Sequence, residues 1–488
     1  MRLAVLLLGA VTVPACTVGP DFKRPSAPSV SRYTAEPLSS TVATPNVAGG
    51  DAQRFIPEGS IPGDWWALFH SRPLNELIDQ ALSNNPDLKA AQAALSAARQ
   101  EVLAQRGAYY PSASASFSAA RQRQSEQLAP TLNANVFEYS LFTPQVTVSY
   151  VPDVFGLNRR TVESAQAQEQ AVRFQMIATY VTLSANVAAA AIQEASLRDQ
   201  IAETQRIVAL NTDMLGILRD QYAKGYASRA DLAAQEAQLA LAEAALPSLR
   251  KQLAQQRDLL AVLAGRFPSE SLADQFLLAS LQLPGELPVS LPSQLVAQRP
   301  DVLQAEANLH AASAQIGIAI ANRLPNIELT ANAGSSAQAI SQLFTSSTNF
   351  LGVGGTLLAP IFEGGTLLHR EDAAKAAYLQ AAEQYRSTVL TACQNVADTL
   401  AALEQDADGL KAAADAASAT TVALQVAQQQ EHVGYAGYLA LLSAEQADQQ
   451  AQINLVQAEA NRYLDTVALF QALGGGWWQR ADLRGDQP

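Results

Sequence analysis

Two stretches of nearly seventy residues set the frame for this chain. Leu157–Ala223 contains no proline and a single glycine, Gly216, and 366–433 contains no proline and a single glycine, Gly409. At 1.5 Å per residue each can form an unbroken helix of about 100 Å. A helix that long cannot be an ordinary core element, so it must run in a coiled coil or bridge a space. The chain is rich in Ala, Gln and Leu, which are good helix formers, and alanine lets helices approach closely. Each long stretch ends in a glycine turn, Lys224-Gly225-Tyr226 and Val433-Gly434-Tyr435, and glycine there suits a left-handed C-cap. An antiparallel return helix is expected after each turn, and Pro247 predicts a kink or break in the first of them.

The two stretches belong to an internal duplication. Asn85-Pro86-Asp87-Leu88 returns as Arg299-Pro300-Asp301-Val302, and Tyr110-Pro111 as Leu324-Pro325, both 214 residues later. Pro152-Asp153-Val154-Phe155-Gly156 returns loosely as Pro360-Ile361-Phe362-Glu363-Gly364, 208 later. Gly225 pairs with Gly434 and Gly265 with Gly474, both 209 later. The expected boundaries are an equatorial segment over 16–73, a first repeat over 74–265, a linker over 266–290, a second repeat over 291–475 and a tail over 476–488. Each repeat then runs helix, hairpin, long helix, turn, helix. The Pro-rich segments 20–64, 266–292 and 474–488 lack periodicity and read as irregular wrapping chain.

Each repeat opens with an amphipathic helix. Leu88, Leu95 and Val102 fall seven apart with Ala91, Ala98 and Gln105 between them, and Val302, Leu309 and Ile316 repeat the spacing with Ala305, Ala312 and Ala319. That is a heptad seam with small residues at alternate positions. A strand pair follows in each repeat, expected over 112–122 with 142–152 and over 326–335 with 349–359. Ser112, Ser114, Ser116 and Ser118 alternate with Ala113, Ala115, Phe117 and Ala119, and Ile327, Leu329, Ala331 and Ala333 alternate with Asn326, Glu328, Thr330 and Asn332. Strands of about ten residues cross a bilayer when tilted. Apolar-out, polar-in alternation is the mark of a barrel with a wet lumen. Tyr109, Tyr110, Phe142, Tyr150, Phe155, Phe350 and Phe362 sit near strand ends, as interfacial aromatic belts do.

The first 15 residues read as an export signal, with Arg2 ahead of the apolar run from Leu3 to Val13. The run is too short to span a bilayer, which needs about 20 residues. Val13-Pro14-Ala15-Cys16 resembles a bacterial lipobox, with Pro14 in place of the usual small residue, and assigns a lipid to Cys16. Thr17 in place of aspartate leaves out the inner-membrane retention signal. No other run reaches about 18 apolar residues, so no transmembrane helix is expected. Cys393, the second of two cysteines, reads as an inert buried thiol.

Other classes are excluded by what the sequence lacks. A net charge of −13 does not suit nucleic acid, which needs a basic surface. The four histidines, His70, His310, His369 and His432, have no metal-ligand spacing. Gly354-Gly355 and Gly364-Gly365 lack a P-loop lysine, and no serine nucleophile elbow is present. No catalytic, cofactor or metal site is expected, and the chain does not read as an enzyme. Four strands cannot close a membrane barrel, because the smallest have about eight. Open edges in lipid would leave backbone groups unpaired, so several chains must share one barrel. Eight strands are filled by their own side chains, so three chains suit transport better than two, although two are not excluded.

The residues from Cys16 to Pro25, Cys-Thr-Val-Gly-Pro-Asp-Phe-Lys-Arg-Pro, resemble the mature N-terminus of lipoproteins in the TolC and OprM outer-membrane efflux family, NodT subgroup. Trp65-Trp66 with Phe69, Leu74, Leu77 and Ala81-Leu82 is similar to the motif that follows, and Arg299-Pro300-Asp301, Ala305-Glu306 and Ala314-Gln315-Ile316-Gly317 to the start of the second half. The resemblance covers roughly residues 16–475. It implies a mainly α chain with a membrane β-barrel: a homotrimer with a twelve-strand β-barrel, continued by a twelve-helix coiled-coil tunnel. It further implies outer-membrane lipid around the barrel, a periplasmic adaptor (membrane fusion protein) and an inner-membrane pump of the resistance-nodulation-division type as partners, and small-molecule efflux as function.

In the family the two helical tips close the periplasmic mouth and meet the adaptor. The resemblance places Leu439 at a bulky apolar ring and Ser443 where an acidic ring is common, and serine departs from that pattern. Asp231, Arg229 and Tyr438 complete a candidate gate, while Lys224, Gly225, Tyr226, Gly434 and Tyr435 are candidate adaptor contacts. A plainer reading has Ser228 capping the next helix with Asp231 at its third position. A type I protein secretion duct shares the fold, and a periplasmic coiled-coil scaffold without a pore would keep the long helices but not the alternating strands.

Overall fold

The computed structural model describes residues 17–36, 38–123, 138–270, 275–433, 435 and 438–484, apart from the side chain of His432. The export signal, Cys16 and Gly434 lie outside the described residues. In chain order the elements are β1 (Arg54–Pro57), α1 (Arg72–Asn84), α2 (Pro86–Arg106), β2 (Ser112–Arg123), β3 (Glu138–Tyr150), α3 (Leu157–Ala223) and α4 (Arg229–Leu263). Then come β4 (Glu286–Val289), α5 (Pro292–Gln298), α6 (Pro300–Ala321), β5 (Asn326–Ser335), β6 (Asn349–Leu358), α7 (Thr366–His432), α8 (Tyr438–Ala472) and α9 (Ala481–Arg484). The chain is mainly helical. The long helices α3 and α7 have 67 residues each, and the return helices α4 and α8 have 35 each.

The chain divides into two compact units. One takes the described part of Met1–Pro25 with Leu95–Ala171 and Ala305–Tyr385, and the other takes Ser26–Ala94, Val172–Gln304 and the described part of Arg386–Pro488. The first contains a four-stranded antiparallel sheet in the order β2-β3-β5-β6. Its register sorts the alternation into rows. Ala113, Val148, Ala331 and Val353 form one apolar row, and Ala115, Val146, Ala333 and Leu351 the next. Ser114, Thr147, Asn332 and Gly352 form a polar row on the opposite face. Every residue of β2 is exposed, as are Leu351, Val353 and Leu357 on β6. An ordinary half-buried sheet covers its apolar face with its own chain; among the described residues this one leaves much of it exposed.

The second unit has a conventional core. Trp65 is 0% exposed, with its ring centroid 5.2 Å from that of Phe470 and 6.3 Å from that of Phe69. Leu74 and Ile78 of α1 are buried, and Ser71 caps that helix by accepting from the Leu74 N–H. The buried Arg462 guanidinium donates to the Leu403 carbonyl at 2.8 Å and to Thr41 Oγ1 at 3.2 Å. Tying main chain in this way satisfies polar groups that burial would otherwise penalise.

Two expectations are corrected. The segments read as irregular contain β1 and β4, paired in parallel from Arg54↔Glu286 to Pro57↔Val289. Four-residue strands whose partners lie far along the chain carry no local turn signal. Pro247 does not break the return helix, because α4 continues through it. Proline removes one backbone hydrogen bond, and the helix is held on its preceding turn by the buried Ala242 and Leu246. By composition α3 contains a stretch apolar enough to cross a membrane, but 67% of that stretch is buried within the chain.

Candidate functional site

The turn between α3 and α4 is built from local chemistry. Gly225 takes φ +80°, with its N–H donating to the Tyr222 carbonyl at 3.0 Å and the Tyr226 N–H to the Gln221 carbonyl at 2.8 Å. That is a Schellman ending, and no Cβ would clash there, so the positive φ alone calls for glycine. Ser228 then starts α4 with a capping box: its Oγ accepts from the Asp231 N–H at 3.1 Å, and Asp231 Oδ2 accepts from the Ser228 N–H at 3.1 Å. The Asp231 carboxylate is thus committed to backbone of its own chain. Lys224, Tyr226 and Arg229 are exposed, Tyr226 at 83%. At the second turn the Tyr435 N–H donates to the Gln430 carbonyl at 2.8 Å, and the Tyr435 side chain is 91% exposed.

The return helices are joined by a partly buried polar ladder. The Tyr438 hydroxyl at the start of α8 donates to Gln235 Oε1 on α4. Gln235 Nε2 in turn donates to Asn211 Oδ1 and to the Asn211 carbonyl on α3, both at 3.1 Å. One turn on, Gln446 Nε2 donates to Gln238 Oε1 at 2.9 Å, and Gln238 Nε2 donates to Gln449 Oε1 at 3.2 Å. Gln235 and Asn211 are fully buried, so each bond replaces a desolvation penalty as well as adding attraction. Burial pushes the Tyr438 phenol well above its ordinary value, helped by the charges of Glu445, Asp231 and Glu431. Tyr438 therefore stays a neutral donor. Leu439 and Ser443, one turn apart on α8, are both exposed.

Of the predicted gate residues, Tyr438 is bonded to Gln235 and feels the charge of Asp231, which sits in the α4 cap, while Arg229, Leu439 and Ser443 are exposed. The sequence reading missed Gln235, Gln238, Asn211, Gln446 and Gln449. Glutamine on a helix reads as a solvated position, and only the burial of Gln235, Gln238, Ala242 and Leu246 at helical spacing distinguishes them.

Beside Cys16, the next residues form a seated strap. The Val18 N–H donates to the Phe155 carbonyl at 3.1 Å. The buried Arg160 donates to the carbonyls of Val18 (3.0 Å) and Gly19 (3.2 Å), to Asp21 (2.8 Å) and to Glu163 (2.7 Å). A Cβ on Gly19 would lie 2.4 Å from Gly317 Cα, so the strap fits only as glycine on glycine. The Phe22 ring stacks on His310 with centroids 4.3 Å apart, His310 Nε2 lies 2.9 Å from Glu163, and Arg24 pairs with Glu306 at 2.9 Å. Among the described residues no group of histidine, cysteine and acid side chains is placed to hold a metal.

Known proteins are similar to this chain over most of its length. The family profile of outer membrane efflux proteins matches residues 77–266 and 291–475. The antibiotic efflux pump outer membrane protein ArpC of Pseudomonas putida is 29% identical over 486 residues, covering 99% of this chain and 97% of its own. Outer membrane protein OprJ of Pseudomonas aeruginosa is 30% identical over 483 residues, covering 96% and 95%. The solved structure of the outer-membrane channel OprN superposes with a TM-score of 0.84 at 26% identity, covering 95% of this chain and 100% of that one. With a profile match across both halves and full-length relatives, the chain belongs to the outer membrane efflux protein family.

Proposed function

We propose that three copies of this chain close a twelve-strand barrel in the outer membrane and continue it into the periplasm as a twelve-helix tunnel. The observation that carries the reading is the sheet. Among the described residues it has one apolar and one polar face, a fully exposed β2, exposed apolar residues on β6, and no pairing at the outer edges of β2 and β6. In lipid an open edge costs several kcal/mol per unpaired group, so edges must meet edges of other copies. Twelve strands leave a lumen, whereas eight are filled by their own side chains. The matched lengths of α3 with α7 and of α4 with α8 support a duplicated chain, six of whose halves would ring the tunnel.

The chain acts as the outer-membrane component of an efflux system. Its cargo is small molecules, in line with the antibiotic efflux named for its relative, and its partners are a periplasmic adaptor and an inner-membrane pump. Lys224, Tyr226 and Tyr435 at the exposed tips are the adaptor contacts. The bond from Tyr438 to Gln235 holds the periplasmic mouth shut by tying α8 to α4, with Leu439 and Ser443 facing the neighbouring copies. Cys16 carries the lipid, and the strap that Arg160 holds at Val18 and Gly19 follows it in the chain. A scaffold without a pore has no use for a sheet with an exposed apolar face.

The test is edge-to-edge cross-linking in membranes. With Ala115→Cys on β2 and a cysteine scanned over 349–357 on β6, at least one pair should link three chains into a closed ring. If every pair yields monomers alone, the shared barrel is wrong.

A further inference from the structure

Glu445 on α8 is the most anomalous group near the tips. It is 1% exposed, and neither carboxylate oxygen has a hydrogen-bond partner among the described residues. Its own chain buries it, so assembly with other copies can only cover it further. Leu441, one turn nearer the tip, is buried as well, and its neighbour Gln446 is bonded to Gln238 of α4. An ionised carboxylate in such a place is very costly, and the group neutralises instead.

We propose that Glu445 is a proton-held latch of the periplasmic tip: protonated, it lets α8 seat against its neighbours, and ionised, it drives α8 out of that seat. The inference rests on the gate reading above. Burial pushes the Glu445 carboxyl up to about 7, and no charged neighbour on α3, α4 or α7 acts on it among the described residues. The surrounding charges are spoken for or of the same sign. Asp231 is in the α4 cap, Glu431 lies on α7, Asp448 accepts from Thr421 at 2.8 Å and Thr420 at 3.2 Å, and Arg219 of α3 pairs with Glu236 at 3.2 Å. A groove of 370 Å³ lined by Met214, Ile217, Leu218, Glu431, Tyr438 and Leu441 reaches to within one turn of Glu445 along α8.

The direction follows from linkage. The seated state has the raised pKa, so its advantage is complete below the exposed value of 4.5 and is lost as pH rises to about 7. With those two values, the population of the loosened tip rises about tenfold between pH 6 and pH 8.

The experiment uses the full-length protein in detergent and in planar bilayers. Trypsin cleavage at Lys224 and Arg229 is normalised at each pH to a short unstructured peptide, and open probability is recorded in parallel. Wild type should show about a tenfold rise in normalised cleavage from pH 6 to pH 8, and Glu445→Gln should be flat. His432→Gln, a change to a histidine at the end of α7, is the control and should keep the rise. A rise that survives Glu445→Gln, or a flat wild type, overturns the proposal. The gate reading fails separately, when Tyr438→Phe leaves open probability unchanged; a Glu445-dependent rise in cleavage would still stand as a latch on tip packing.

Discussion

An arginine placed on each face of the sheet in turn tests which face meets lipid. Ala331 and Asn332 are adjacent on β5, near the middle of Asn326–Ser335, and point to opposite faces. Ala331 lies between Val148 and Val353, and Asn332 between Thr147 and Gly352. If the alanine row faces lipid near the bilayer midplane, Ala331→Arg costs about 2–4 kcal/mol per chain. That shifts the folded-to-unfolded ratio about 30- to 700-fold, since 1.4 kcal/mol is tenfold. Asn332→Arg keeps its charge in a wet lumen, costs under about 1 kcal/mol, and moves ion selectivity toward anions. The assay is guanidinium unfolding in lipid vesicles, followed by electrophoretic mobility of the assembled protein, with reversal potentials for the Asn332 variant. Equal destabilisation by both variants, or a larger loss at Asn332, would refute the assignment of faces.

Further outcomes concern the tip and the strap. Tyr438→Phe leaves the buried Gln235 Oε1 without its donor, which costs about 1–3 kcal/mol of tip stability and raises open probability in single-channel recordings. Asp231→Ala removes half of a capping box and weakens the start of α4 by about 0.5–2 kcal/mol, visible as faster amide exchange there, with conductance unchanged. Arg160→Ala strips donors from the Val18 and Gly19 carbonyls, loosens the strap by about 1–3 kcal/mol and exposes 17–25 to limited proteolysis.

The alternation of Ser112 to Ala119 and of Asn326 to Ala333 is legible because period two is a property of neighbouring residues. The choice of partners is not. The pairing of Val148 with Ala331 joins residues nearly two hundred positions apart, and no short-range turn announces it. The tip turns were legible through Gly225 and through the Ser228–Asp231 spacing, which specify backbone geometry on their own. The ladder of Gln235, Gln238 and Gln446 was hidden because glutamine's helix propensity is the same buried or exposed. Glu445 was hidden for the opposite reason: a carboxylate on a helix is nearly always solvated, and only tertiary packing makes this one an exception. Pro247 misled because a local penalty of about 3 kcal/mol is outweighed by packing along α4.

The central claim is that the open sheet becomes a pore only when three chains share it. Native mass spectrometry of the detergent-extracted protein, followed by single-channel recording of the same sample in planar bilayers, tests it most directly. A trimer with a small, mostly closed conductance, enlarged by Tyr438→Phe, is the predicted result. A monomer or dimer that passes no current and stays out of the membrane would contradict the barrel and leave a coiled-coil scaffold in its place.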